Sequence, residues 1–156
     1  MNQTLRISIA VLASLAVGFA GFLFVTPQAL DWYAGLVKAP LTPPSWVFGV
    51  VWTILYVFMA ASLAIVWTKG SKLDHVAGWV RFYFIQLLFN AAWTMFFFGF
   101  HATLLAFIDI LFLVFTVTCL VVGGWEIDKR ATYLLLPYLL WIFFAGYLNL
   151  AIWLLN

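Results

Sequence analysis

Charge is nearly missing from this sequence: only 8% of its 156 residues are Asp, Glu, Lys or Arg, against about a quarter in soluble domains. Seven basic and five acidic side chains cannot coat the surface that a water-soluble core of this length needs. A soluble fold is excluded, and lipid must be the solvent for most side chains. Cysteine is reduced to Cys119 in an apolar run, which excludes an internal disulfide and a Cys-rich metal site. The basic residues are dispersed and the formal charge is only +2, so no nucleic-acid surface is expected. Metal clusters, nucleophile–base pairs and phosphate-binding glycine loops are also missing, so no metal is expected and ordinary hydrolysis or group transfer has no candidate residues.

What the chain has is apolar length. Hydrophobic residues make up 67% of it, and a spanning helix needs about 20 of them at roughly 1.5 Å each. There are 24 uncharged residues between Arg6 and Asp31, 30 between Lys38 and Lys69, and 26 after Arg130. Each stretch accommodates one span. Between Phe82 and Trp125 the only Asp, Glu, Lys or Arg in 44 residues is Asp109, and a single helix there would be about 66 Å long. A reversal is required, and Gly99-Phe100-His101 is the Gly/polar break near its middle.

The reading is all-α: one transmembrane domain over 1–156 with five spans at about 5–26, 45–68, 79–99, 103–124 and 132–154. Continuous rather than alternating apolar runs favour helices over a barrel. The first run, preceded by Arg6, is too long for a cleaved leader. With five spans, Arg6, Lys69, Lys72, Arg81, Lys129 and Arg130 share one side and only Lys38 the other. For a bacterial cell membrane this bias puts the N-terminus in the cytoplasm and the C-terminus outside.

The segment from Thr26 to Pro44 is long for a connection, as lids and binding loops often are. Leu30, Tyr33 and Val37 recur at helical spacing, then Pro40, Pro43 and Pro44 oppose helix. A short interfacial helix followed by a stiff descent is expected. Trp32 and Tyr33 serve there either as headgroup anchors or as part of a lid.

Polar and aromatic residues also form stripes at i, i+3, i+4 and i+7. They are Gly49, Trp52, Tyr56 and Met59; Gln86, Asn90, Trp93 and Phe97; Asp109, Phe112 and Thr116; and Tyr138, Trp141, Ala145 and Asn149. Amides and a carboxylate are costly against lipid, so these stripes should face inward. They make either an aromatic pocket for a flat apolar ligand or a solid packed core. Asp109 either bonds a partner helix or relays protons and contacts ligand, and the first is favoured because no second ionisable residue continues a relay. Ala10, Ser14, Gly18 and Gly21 allow close helix approach, within the chain or in a homodimer. Pro137 should bend the last span.

Several of these blocks together resemble a known family. Trp32-Tyr33-Ala34-Gly35-Leu36-Val37-Lys38, Pro43-Pro44-Ser45-Trp46, and Trp52 with Leu55-Tyr56 and Met59 open the pattern. Leu88-Phe89-Asn90 with Trp93, Phe97-Phe98-Gly99, Asp109, and Pro137-Tyr138-Leu139 with Trp141, Ala145 and Leu148-Asn149 continue it. In this order, over nearly the whole chain, they resemble the translocator proteins, also called peripheral benzodiazepine receptors or tryptophan-rich sensory proteins. Two departures stand out. Leu41 occupies a position where the family typically has Trp, and Leu150 and Leu154 replace the Tyr and basic residue of a proposed cholesterol motif.

The resemblance implies a membrane receptor or carrier for protoporphyrin, haem and drug-like flat molecules, and in some members sterols. No cofactor is required, since porphyrin enters as ligand; membrane lipid and a small molecule are the partners. Stripes and resemblance together single out Trp32, Trp52, Tyr56, Asn90, Trp93, Phe97, Asp109, Tyr138, Trp141, Ala145, Leu148 and Asn149 as ligand-binding. Two other readings are a light-dependent porphyrin-degrading enzyme with Trp52 and Trp141 as oxidisable groups, and a proton-coupled exporter using Asp109. The second is weakened by the lack of an inverted repeat.

Overall fold

The computed structural model describes residues 2–70 and 74–156. Among them are six α-helices and no strand: α1 (Gln3–Phe22), α2 (Pro27–Gly35), α3 (Ser45–Thr68), α4 (Asp74–Thr94), α5 (Thr103–Ile127) and α6 (Lys129–Leu155). A π-helical turn, Met95–Gly99, extends α4. All but α2 are long and apolar enough to cross a bilayer.

The first span stops at Phe22 rather than at 26 because a second helix nucleates at once. Thr26 is extended, as a residue before proline prefers; its hydroxyl accepts from the Ala29 amide at 3.2 Å, and Pro27 sits in the first turn of α2. The loop helix ends at Gly35, with Leu36 extended, so Val37 lies beyond it rather than on its face. The third span starts at Asp74, a favourable charge for a helix N-terminus, instead of at 79. The last two run further into the polar zone than 124 and 132, since Asp128 caps α6 by accepting from the Arg130 amide at 3.0 Å. Hydropathy marks where lipid ends, not where helix does. Pro137 sits inside α6, which runs unbroken.

The reversal falls at Gly99–His101. A Cβ on Gly99 would lie 2.9 Å from the Phe24 ring, so glycine lets the turn approach the connection between α1 and α2. His101 takes the left-handed conformation at φ 53°, which His tolerates better than most residues.

Helix neighbours run α1, α3, α6, α5, α4 and back to α1, with α3 and α4 also meeting across the middle. One end of this ring is polar. Arg6 donates to the Trp67 carbonyl at 2.8 Å, and Asp128 pairs with Lys69 at 2.9 Å and Arg130 at 3.0 Å. Lys72 lies outside the described residues. Hydrogen bonds from Arg130 and Lys69 hold the Asp128 carboxyl well below the usual carboxylate range. A depressed folded value means that the contribution to stability is present above about pH 4 and fades as acid protonates the group. Asp128→Asn should therefore remove part of the acid sensitivity seen in detergent melting curves below about pH 4, with little change in its shape at pH 7.

The half of the ring next to this end is solid. Met59, Leu63, Val66, Tyr83, Leu120 and Leu135 are fully buried there, and Trp79 donates to the Leu120 carbonyl at 2.8 Å. The small-residue stripe of α1 is used within the chain: the Ser14 hydroxyl meets that of Tyr83 at 2.7 Å, and Gly21 packs on Thr94. It is not a free face for a second copy.

Candidate functional site

Towards the other end the helices diverge around a cavity of about 890 Å³. Its sides are Gly18 and Phe22 of α1, Trp52 and Tyr56 of α3, Asn90 and Trp93 of α4, Phe97 of the π turn, and Ala145, Leu148 and Asn149 of α6. Leu30 and Tyr33 of α2 form the roof. Among the described residues no Asp, Glu, Lys, Arg or His lines it. Burial pushes the Tyr33 phenol up from its ordinary value, so it stays a neutral hydrogen-bonding group at the roof.

The floor is a hydrogen-bonded chain. Tyr56 donates to Asn90 Oδ1, Asn90 Nδ2 donates to the Tyr138 oxygen at 3.0 Å, and Tyr138 donates to Gln86 Oε1 at 2.8 Å. A second amide clamps the upper wall: Trp93 Nε1 donates to Asn149 Oδ1 at 3.0 Å, and Asn149 Nδ2 donates to the Thr103 carbonyl at 2.7 Å. With their partners taken, both amides are locked in one orientation. The aromatic wall is close to parallel. Trp52 and Trp93 have ring centroids 6.3 Å apart at 30°, and Trp93 and Phe97 are 5.4 Å apart at 23°.

The model of the TspO/MBR family matches residues 10–154, which takes in every helix of the cavity wall. The chain belongs to that family. It is 41% identical over 152 residues to the tryptophan-rich protein TspO of Archaeoglobus fulgidus, covering 97% of each chain. Against the tryptophan-rich protein TspO of Chlorobaculum tepidum it is 40% identical over 156 residues, 99% of this chain and 98% of the other. The human translocator protein is 35% identical over 136 residues, 86% of this chain and 80% of its own. Five apolar helices in a TspO/MBR chain make this an integral multi-pass membrane protein.

In this TspO/MBR fold, eight of the twelve residues singled out above come together on the cavity wall: Trp52, Tyr56, Asn90, Trp93, Phe97, Ala145, Leu148 and Asn149. The other four stand apart from it. Tyr138 is fully buried behind the lining, bonded to Asn90 and edge-on to Trp52 at 6.2 Å between ring centroids. Trp141 lies behind Phe48, 5.7 Å between ring centroids, and its buried indole N–H has no partner among the described residues. Trp32 stacks on His101 at 4.0 Å, so it fastens the roof from outside. Asp109 is buried on α5 away from the cavity, with Oδ2 unbonded among the described residues.

Missed by the stripes were the whole contribution of α1 and the roof residues Leu30 and Tyr33. The α1 wall combines Gly18 and Gly21, which have no side chain to mark a face, with Leu15, Phe19 and Phe22, which read as ordinary lipid-facing residues. Tyr33 was marked by its helical spacing, but from the loop alone the interfacial-anchor reading is the favoured one.

Proposed function

We propose that this protein is a membrane receptor and carrier that takes a flat, largely apolar ligand, of the porphyrin class that includes protoporphyrin and haem, into the cavity beneath the first loop. The supporting observation is the cavity itself, whose size lies within the usual range for small-molecule sites. It offers a near-parallel aromatic wall for stacking, two fixed amides for orientation and no charge at depth. Ring stacking of this kind adds roughly 0.5–1.5 kcal/mol per pair beyond burial. A carboxylate-bearing porphyrin would keep its acid groups at the mouth, since an unpaired charge inside would be costly. The name translocator protein, borne by the human relative, fits a carrier.

Titration of purified protein with protoporphyrin, followed by tryptophan fluorescence, tests this reading. Saturable quenching should weaken about tenfold in Trp52→Ala. Trp141→Phe should stay within about threefold of wild type, because Trp141 stands behind Phe48. Full affinity in Trp52→Ala with loss in Trp141→Phe would move the site elsewhere.

The same reading places the polar end, with Arg6, Lys69, Lys129 and Arg130, in the cytoplasm of a bacterial cell and the roofed cavity outside. In intact cells, Lys38→Cys on a Cys119→Ser background should react with a membrane-impermeant maleimide. Labelling only after lysis would invert the topology.

A further inference from the structure

The roof is held at two places, and they differ in kind. Its helical part is held by rings: Trp32 on His101, and Tyr33 edge-on to Phe97 at 6.1 Å. After Leu36 the chain leaves the helix, and Val37, which is exposed, has no backbone partner from a helix or strand. Both of its polar groups are instead taken by one side chain. The Val37 amide donates to Asn156 Oδ1 at 2.9 Å, and Asn156 Nδ2 donates to the Val37 carbonyl at 3.1 Å. Asn156 Nδ2 also donates to the Ile152 carbonyl of α6 at 2.8 Å, which sets its rotamer. Ile152 is itself a cavity residue, whereas Asn156 is not.

A primary amide carries both a donor and an acceptor, so one Asn side chain can take the amide and the carbonyl of a single residue. Alanine can do neither, and aspartate can only accept. The side chain thus joins the roof to the end of a wall helix without touching the cavity's contents.

We infer that Asn156 is a tether that holds the first loop closed over the cavity, so that it sets how fast ligand enters and leaves rather than how tightly it is held. This rests on the cavity being the porphyrin site. Opening a roof that is mostly closed raises entry and exit together, because each waits for the same rare open state. A residue that touches ligand changes mainly the exit rate.

The experiment has two arms, on wild type, Asn156→Ala and Asn156→Asp. The ligand-free arm measures hydrogen exchange at the Val37 amide in detergent micelles. Exchange should quicken about tenfold in Asn156→Ala and far less in Asn156→Asp, which keeps the acceptor for that amide. The second arm measures stopped-flow association and dissociation of protoporphyrin by tryptophan quenching. In Asn156→Ala both rates should rise about fivefold while Kd stays within about twofold. Unchanged Val37 exchange would overturn the tether. Faster exchange with unaltered ligand rates would overturn its role as a gate, as would a change confined to dissociation. Failure of protoporphyrin to bind wild-type protein would instead defeat the cavity reading, and the exchange arm would still report on the tether.

Discussion

Gly18→Leu is expected to abolish protoporphyrin binding and to lower stability by roughly 1–3 kcal/mol, the usual cost of overpacking. A Cβ at this position would sit 2.7 Å from the Tyr56 ring, so even the first added atom displaces a side chain. Tyr56 cannot retreat freely, because its hydroxyl is bound to Asn90. The remaining atoms of leucine must then enter the cavity, on the wall that Gly18 shares with Trp52 and Asn90. Fluorescence titration and thermal melting in detergent check both parts. A Gly18→Leu protein that melts lower yet binds normally would show that ligand does not use this space.

Asn90→Ala is expected to weaken binding at least about tenfold and to lower stability by roughly 2–4 kcal/mol. Asn90 is 2% exposed and joins Tyr56 of α3 to Tyr138 of α6. Removing the amide deprives the Tyr56 hydroxyl of its acceptor, while Tyr138 keeps Gln86. The loss therefore falls on the cavity side of the network. Tyr56 would no longer be fixed under the ligand, and the floor would lose its polar group. Tyr138→Phe gives the contrast: it removes a hydroxyl beneath the floor, so melting should fall while affinity stays within about threefold. Equal loss of affinity in both variants would mean that the network acts as one unit rather than as a floor and its support.

These expectations depend on side chains that differed in how plainly the sequence announced them. Trp52 with Tyr56, and Asn90 with Trp93 and Phe97, lie at helical spacing on apolar spans, so a single rule about polar groups in lipid turned them inward. Tyr138 and Trp141 obeyed the same rule and also face inward, yet neither lines the cavity. Periodicity gives a direction around a helix axis, and it cannot tell a wall from the layer behind it. What separates them is packing: Phe48 covers Trp141, and Asn90 covers Tyr138. Asp109 faces the bundle without reaching the ligand space for the same reason.

Helix ends were legible only as far as hydropathy follows them. The reversal at Gly99–His101 was marked by a glycine and a polar residue, but the π turn before it carries no pattern of its own. The early end of α1 could have been read from Thr26-Pro27, a cap followed by a helix-starting proline. The tie between Val37 and Asn156 joins residues 119 positions apart, and no local rule links them.

The most direct measurement is the placement of the guest. Manganese protoporphyrin, which is paramagnetic, should be added to isotope-labelled protein while the indole N–H signals are observed by NMR. Trp52 and Trp93 should broaden beyond detection at one equivalent, and Trp79, bonded to Leu120 in the solid half, should remain sharp. Broadening of Trp79 with Trp52 and Trp93 spared, or equal broadening of all indoles, would contradict a ligand seated among the aromatic rings under the first loop.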